Sequence, residues 1–329
     1  MSVPSRFIVR PIVLIPTVIL LVAGLIAACV AAGQSPLSLG PTSTPTPSIA
    51  PTVSPTAAPT ATPTPQPTPE PALLTRRVTL LVLGTDTNPA RLARSPTYRT
   101  DSIILLSVDA AHERVSMTSL PRDVVDVPLG NGGVWREKVN GIADALGEKA
   151  MKRAMTETFG VPIDYYVEIN MSDFAALVDA IGGIDVRVPV TIYDPSIQLR
   201  IGAGPHHMIG AVALKYARSR HTTSDYDRDA RQQQIMAAIV RKMVNPETKI
   251  NFLSLLGALH SMKTDLPLAQ FPTLFELARR SAGATLVTRV LAPPAYATFS
   301  GIEFGTGRGW IQEPNLRAIR TYVASVFKP

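Results

Sequence analysis

The sequence predicts an α/β domain, one β-sheet held between helices, at the end of a long leader and spacer. Three observations predict it. Short apolar, β-branched runs recur at 78–84, 102–109, 114–120, 163–169, 184–190 and 285–291, bounded by glycine, proline or charged residues. Stretches between and after them carry apolar residues at helical spacing, most clearly over 228–244. Strand-like and helix-like segments alternate, the pattern of an α/β or α+β sheet flanked by helices.

The leader comes first. Residues 1–11 carry Arg6 and Arg10 and no acid, and Ile12 to Ala32 is almost wholly apolar. About 20 such residues cross a bilayer as a helix, and basic residues on the N-terminal flank hold that end in the cytoplasm. Everything after it then lies outside the membrane. A second reading stands beside this one. Leu25-Ile26-Ala27-Ala28-Cys29 has the form of a lipoprotein signal, with small residues before a cysteine, and cleavage there leaves a lipid anchor. Both readings make residues 1–33 a membrane tether. Residues 34–75 follow as a Pro/Thr-rich linker with Glu70 as the only charge before Arg76, too polar to bury a core and expected to be an extended, disordered spacer. The folded domain is expected over 76–329.

Within the domain, 140–159 reads as one helix. Ser172-Asp173 reads as the N-cap of a helix through FAALVDAI, stopped by Gly182-Gly183. Pro189 confines the 184–190 strand to an edge or an end. Residues 191–210 read as loop-rich, ALKYAR as a short helix, 251–262 and 269–281 as two more helices, and 314–327 as the last.

Charge and composition narrow the function. The formal net charge is +7 and the isoelectric point about 9.7, which suits an anionic partner. The single cysteine, Cys29, excludes an internal disulfide and a cysteine-rich metal site. Nucleic acid is disfavoured by the outside location and by the lack of aromatic platforms beside the basic residues. There is no GxSxG and no HExxH. His206-His207 sits in a Gly/Pro loop and reads as structural, and His221 is only a weak candidate for proton transfer. GTGRG at 305–309 lacks the spacing and lysine of a phosphate loop and reads as a turn.

Two charged groupings remain. The connection from 102–109 to 114–120 is short enough to force an antiparallel pair. Leu120-Pro121-Arg122-Asp123 then ends beside Arg99-Thr100-Asp101-Ser102. If 78–84 is also antiparallel to 102–109, Gly84-Thr85-Asp86 lands at the same edge. Asp86 and Asp101 are a pair that suits Mg²⁺, a hard cation that takes carboxylate, phosphate and water oxygens. Turn-capping aspartates are the alternative for each motif alone. The second grouping is KYARSRHTTSDYDRDARQQQ, 215–234, with Arg218, Arg220, Arg228 and Arg231 among Asp225, Asp227 and Asp229. One reading is a wall of a phosphate site, since guanidinium groups fork onto phosphate oxygens. The other is a solvated, salt-bridged helix start. Arg228, Gln232, Ile235 and Ile239 share a helical face, which aims Arg228 and Gln232 the way the core points, and the helix N-terminus adds N–H groups for an anion.

In order, GTD (84–86), RTDSIILLSVD (99–109), SLPRDVVDVP (119–128), KVNGIADA (138–145), LVDAIGGIDVRVP (177–189), ALKYARSR (213–220) and DYDRDARQQQ (225–234) resemble the LytR–CpsA–Psr (LCP) family of cell-wall glycopolymer ligases. The resemblance implies a central mixed β-sheet flanked by helices, with an apolar tunnel for a lipid tail. It implies transfer of a glycopolymer with one phosphate from a polyprenyl diphosphate to a peptidoglycan hydroxyl, with Mg²⁺ as cofactor. Asp86 and Asp101 match the metal-linked aspartates. Arg99, Arg122, Arg218, Arg220, Arg228, Arg231 and Gln232 match diphosphate-contacting positions, and Asp123 matches a candidate for orienting Arg122 or activating the acceptor. A polyprenyl-diphosphate hydrolase and a non-catalytic glycolipid-binding or regulatory envelope protein remain alternatives.

Overall fold

The structure, a computed structural model, describes residues 71–221, 224–260 and 262–327. The expected leader and most of the expected spacer lie outside these residues. Among the described residues no helix is long and apolar enough to cross a membrane.

The chain opens its sheet with β1 (Val78–Thr85), β2 (Thr100–Val108) and β3 (Arg114–Ser119). Helices α1 (Ile142–Leu146) and α2 (Glu148–Phe159) precede β4 (Tyr165–Ile169) and α3 (Met171–Ala180). Four short strands follow, β5 (Ile184–Val188), β6 (Ile192–Asp194), β7 (Leu199–Ile201) and β8 (Gly204–Met208), then α4 (Gly210–Arg218) and the long α5 (Asp225–Val244). The last part holds α6 (Phe252–His260), β9 (Lys263–Thr264), α7 (Phe271–Arg280), β10 (Thr285–Val290), a hairpin of β11 (Ala297–Glu303) and β12 (Gly309–Pro314), and α8 (Leu316–Val326).

The central sheet has six strands in the order β9-β4-β1-β2-β3-β10. It is mixed: β1 runs antiparallel to β2 and β2 to β3, while β4 is parallel to β1 and β10 to β3. The expected α/β architecture with a mixed sheet between helices is therefore the observed one. Its registers bring Gly84 opposite Ser102, Thr85 opposite Thr100 and Ser119 opposite Ile104, so three segments turn away at one edge.

The two faces of the sheet are filled differently. One is closed: Leu81, Leu83, Ile103, Leu105 and Tyr166 pack on Met151, Met155 and Phe159 of α2 and on Ile319 and Val323 of α8. The other carries Ile104, Leu106 and Met117 under Ala237 of α5 and Leu277 of α7, but Leu80, Val82 and Tyr165 on it are only partly buried. In β1 the burial alternates with the two-residue period, full at 81 and 83 and partial at 80, 82 and 84. β4 repeats this, with Tyr165, Val167 and Ile169 partly open, and Leu80, Val82 and Gly84 pair with those three in register. These are central strands, so the open strip is a gutter along the middle of the sheet. A second core lies between β5–β8, α3, α4 and α5, where Val186, Val188, Met208, Tyr216, Ile235 and Ile239 meet. Helix α5 serves both cores.

Several expected elements are corrected. The single helix over 140–159 is broken at Gly147, whose φ of 84° is open to glycine at little cost. Helix α3 is capped by Asn170, whose side chain accepts from the N–H groups of Ser172 and Asp173, so those two are in the first turn. Residues 191–210 contain a small hairpin and a further strand, with inward and outward residues alternating along the hairpin. The hairpin of β11 and β12 has weak strand patterning and was unforeseen. Leu73 is fully buried beside Val78, so the packed region begins before Arg76.

Gly210 sets how closely α3 and α4 approach. A Cβ built on it runs into the Ala175 carbonyl, and its N–H donates to Asp179 Oδ1 at 2.7 Å. Gly210→Ala is expected to destabilise the fold by about 3 kcal/mol, because the obstruction is backbone and cannot rotate away. The check is a urea midpoint at unchanged m-value. An unchanged midpoint would mean that the two helices separate freely.

Candidate functional site

The edge where β1, β2 and β3 turn away gathers the first charged grouping. Arg122 leaves β3 through Leu120-Pro121 and returns across the start of β2, where its Nη1 lies 2.8 Å from Asp101 Oδ2. Its Nε is 3.5 Å from Asp123 Oδ2, outside hydrogen-bond geometry, and its Nη2 is 3.8 Å from Asp225 Oδ2. Burial works against the Arg122 charge, but Asp101, Asp123 and Asp225 outweigh it and hold its pKa above the ordinary value. Asp123 also accepts from Lys138 Nζ at 2.7 Å. Asp86 closes the loop between β1 and β2: its carboxylate pairs with Arg91 at 2.7 Å and accepts the N–H of Arg99 at 2.9 Å.

Helix α5 supplies the second wall. Gln233, buried, ties it to the sheet by donating to Ser119 Oγ at 2.7 Å and to the Arg289 carbonyl at 2.9 Å. That anchor sits just before the Leu120–Arg122 turn, so the first turns of α5 lie over the strand edge. Arg228 is 3% exposed and faces inward, with Nη2 3.0 Å from Asp229 Oδ1 and 3.5 Å from the Asp101 carbonyl. Gln232 is half-buried and reaches the Ala217 carbonyl at 3.5 Å. Arg220 forks onto Asp225, with Nη2 to Oδ2 at 2.9 Å.

Asp194, at the end of β6, organises the loop that bears the arginines. It accepts from the Ser219 hydroxyl at 2.9 Å and from the Arg220 N–H at 3.0 Å, and also from the His221 N–H and Ser196. Burial pushes its pKa up, but these donors together hold it well below the usual carboxylate range. Asp194, Ser196, Arg218, Arg220, His221 and Asp225 line an open cleft of about 380 Å³.

Of the expected site residues, the structure brings Asp101, Arg122, Asp123, Arg220 and Arg228 into one contiguous cluster. Arg99 and Arg218 are exposed at its rim, and among the described residues neither guanidinium has a carboxylate within ion-pair distance. Arg231 is placed differently from the expectation. It is buried, with Nε donating to the Tyr216 carbonyl at 3.1 Å and Nη2 to the Ser219 carbonyl, so it pins the end of α4. The helix N-terminus is also not open as expected. Ser224 accepts the Asp227 N–H, and Asp227 accepts the Ser224 N–H, a reciprocal cap that uses the first turn.

Comparison with known proteins places the chain in a family and matches its fold. The LytR_cpsA_psr sequence profile matches residues 54–291, well over half of the chain. The chain belongs to the LytR_cpsA_psr family. It is 32% identical over 193 residues, 57% of this chain and 60% of that protein, to TagU of Bacillus cereus, a polyisoprenyl-teichoic acid–peptidoglycan teichoic acid transferase. It is 36% identical over 155 residues, 46% of this chain and 36% of that protein, to the probable cell wall biosynthesis protein LcpB of Corynebacterium glutamicum. The aligned parts span less than two thirds of either relative. The fold is shared with the crystal structure of B. subtilis TagV, at a TM-score of 0.59, 23% identity, and coverage of 78% of this chain and 99% of that one. TagT bound to LIIa-WTA gives 0.59 at 21% identity, covering 76% and 89%.

In this LytR_cpsA_psr chain the reading of residues alone missed Lys138, Arg91 and Asp194 as supports. Lys138 and Asp194 meet their partners only through tertiary structure. Arg91 carried a local signal, five residues after Asp86.

Asp229 stands apart electrically. Burial pushes its carboxyl up to about 7, against the pull of Arg228. The folded chain thus holds a proton that the unfolded chain releases near its ordinary pKa of about 3.9. The stability this contributes is full at low pH and declines as pH rises to about 7. Asp229→Asn removes that decline, so the variant's thermal midpoint should gain on wild type between about pH 4 and about pH 7. A flat difference would mean that Asp229 stays ionised throughout.

Proposed function

We propose that this chain transfers a glycopolymer, with one phosphate, from a polyprenyl diphosphate to a hydroxyl of peptidoglycan. The observation that carries this reading is the meeting of two surfaces. The partly open apolar gutter over Leu80, Val82, Tyr165 and Val167 runs along β1 and β4 toward the edge where Arg122, Arg220 and Arg228 cluster. A prenyl chain joined to a diphosphate is amphipathic in the same order, apolar along one length and anionic at its end. The gutter would take the place of the lipid tunnel that the family resemblance implies. The name of the relative TagU, a polyisoprenyl-teichoic acid–peptidoglycan transferase, supports the same substrate class, and that of LcpB supports a role in the cell wall.

In this reading Arg122, Arg220 and Arg228, with Arg99 and Arg218 at the rim, neutralise the diphosphate. The acceptor oxygen attacks the sugar-bearing phosphorus. The bridging P–O bond breaks, polyprenyl phosphate leaves with the electron pair, and the hydroxyl proton is released. A loose phosphoryl-transfer transition state asks the protein mainly for position and charge, and this cluster provides both. Asp123, locked between Arg122 and Lys138, orients Arg122. Arg231 and Asp194 hold the 218–221 segment in place.

The residues present fit Mg²⁺ in part. Asp101 Oδ1, Thr85 Oγ1 and Thr100 Oγ1 are buried with no hydrogen-bond partner among the described residues, and all three are hard oxygen donors at the strand edge beside Asp86. Among the described residues there is no group of three or more His, Cys, Asp or Glu side chains placed to hold a metal. Mg²⁺ would therefore rest on Asp101, with Asp86 close by, and draw its other ligands from phosphate and water. Bound there, it would neutralise further diphosphate charge. We also place the domain on the outer side of a membrane, tethered by residues 1–33 as a helix or through Cys29.

The test is the purified full-length chain with Mg²⁺, a lipid-diphosphate glycan and a peptidoglycan oligomer, and the expected result is a phosphodiester-linked product. Phosphate release without an acceptor would make the protein a diphosphatase. Glycan retention without turnover would make it a binding protein. Arg218→Ala should lower transfer by about 100-fold, the scale of losing one preorganised charge donor. Because Arg218 is exposed, the thermal midpoint should move by no more than about 2 °C. A large loss of midpoint would assign Arg218 to the fold.

A further inference from the structure

We propose that the Asp225 carboxylate occupies the subsite of one phosphate group and that an incoming diphosphate displaces it. This rests on the diphosphate reading of the site. Three guanidinium groups from separate segments converge on this one side chain. Arg220 grips it with a fork, Nε at 2.5 Å and Nη2 at 2.9 Å. Arg122 Nη2 stands 3.8 Å from Oδ2 and Arg228 Nη1 stands 3.9 Å from Oδ1. A fork flanked by two further cations is how arginines hold a phosphate group, and a carboxylate offers the same pair of oxygens.

The neighbouring carboxylates are fixed, whereas Asp225 is able to leave. Asp229 is buried against Arg228, and Asp123 is held by Lys138 as well as Arg122. Asp225 is 30% exposed and faces the open cleft that Arg218 and His221 also line. It opens α5, but the helix does not rely on its side chain, because Ser224 and Asp227 make the cap between them. Rotation of Asp225 into the cleft therefore uncaps nothing, releases the Arg220 fork and withdraws a carboxylate that Arg122 and Arg228 share.

The consequence is selectivity by charge. With no ligand, Asp225 keeps like charges from splaying the site. A monoanion gains little by replacing it, whereas a diphosphate brings more charge than it displaces. Asp225 thus weakens diphosphate binding and sharpens the preference for polyanions.

Calorimetric titration of the full-length chain with inorganic pyrophosphate, and with geranyl diphosphate, tests this without added Mg²⁺. Asp225→Asn should bind both about tenfold more tightly than wild type, since one nearby negative charge is gone and salt screens part of the gain. Asp225→Ser, which keeps a good helix-start residue, repeats the test if the Asn variant folds poorly. Equal or weaker binding by the folded variants would overturn the inference and make Asp225 a residue that orients the arginines. Failure of wild type and variants alike to bind either probe, in a repeat with Mg²⁺ as well as without it, would overturn the diphosphate reading, and this inference with it.

Discussion

A guanidinium group that leaves water must find oxygen acceptors that offset its charge, and Arg122 and Arg228 at this site find them among carboxyl groups. Arg122 is largely covered and Arg228 almost wholly so. Neither can shed its charge, because arginine stays protonated at any relevant pH. The folded chain meets the cost of desolvation around Arg122 with Asp101 from β2 and Asp225 from α5, beside its neighbour Asp123, and around Arg228 with Asp225 and the adjacent Asp229 carboxyl. This ties the sheet edge to the helix. Removing one partner from such a group leaves a buried charge uncompensated, which costs more than the pair was worth in place. The candidate site is thus also a structural joint, whereas its exposed arginines, Arg99 and Arg218, bear no such load on the fold.

Helix α5 shows how one segment serves both ends. Its inner face is polar in the first turns, with Arg228, Asp229 and Gln232, and apolar later, with Ile235, Ala238 and Ile239. Both stretches point the same way. The apolar part is held by the second core, and the Gln233 amide donates its two hydrogens to the sheet, at Ser119 Oγ and the Arg289 carbonyl. A helix docked that firmly at its far end can hold charged side chains inward at its near end.

Much of this was legible in the sequence. The strands of the central sheet follow from apolar, β-branched runs, and the antiparallel turn at 110–113 by itself sets Arg122 beside Asp101. The inward aim of Arg228 followed from its spacing to Ile235 and Ile239. What stayed hidden depended on contacts across sequence. Asp194 sits 25 residues from Ser219 and lies in a stretch with no clear period, so nothing local marked it as the anchor of the arginine loop. Arg231 shares its chemistry and helix with Arg228. Only the position of the α4 carbonyls separates a residue that grips backbone from one that faces the cluster. The α5 cap was written in the sequence as Ser224 and Asp227, but the charge pattern around it drew the reading toward an open anion site.

The junction between gutter and cluster rests on one small residue. Gly84 is the last position on the open face of β1 before the chain turns to Asp86, and it pairs with Ile169 on one side and Ser102 on the other. A Cβ there would come within 2.9 Å of the Ser102 Cβ, so any side chain would push β1 and β2 apart at the strand edge. It would also stand where the apolar strip gives way to charge. Glycine therefore does two things at this position. It lets the two strands close, which sets Thr85 opposite Thr100 and brings Asp86 to the Arg99 backbone. It also adds no side chain to the open face of β1 beyond Val82, where the proposed amphipathic ligand would pass from apolar strip to charge. The close approach of the strands and the openness of the gutter are thus one constraint, met by the absence of a side chain.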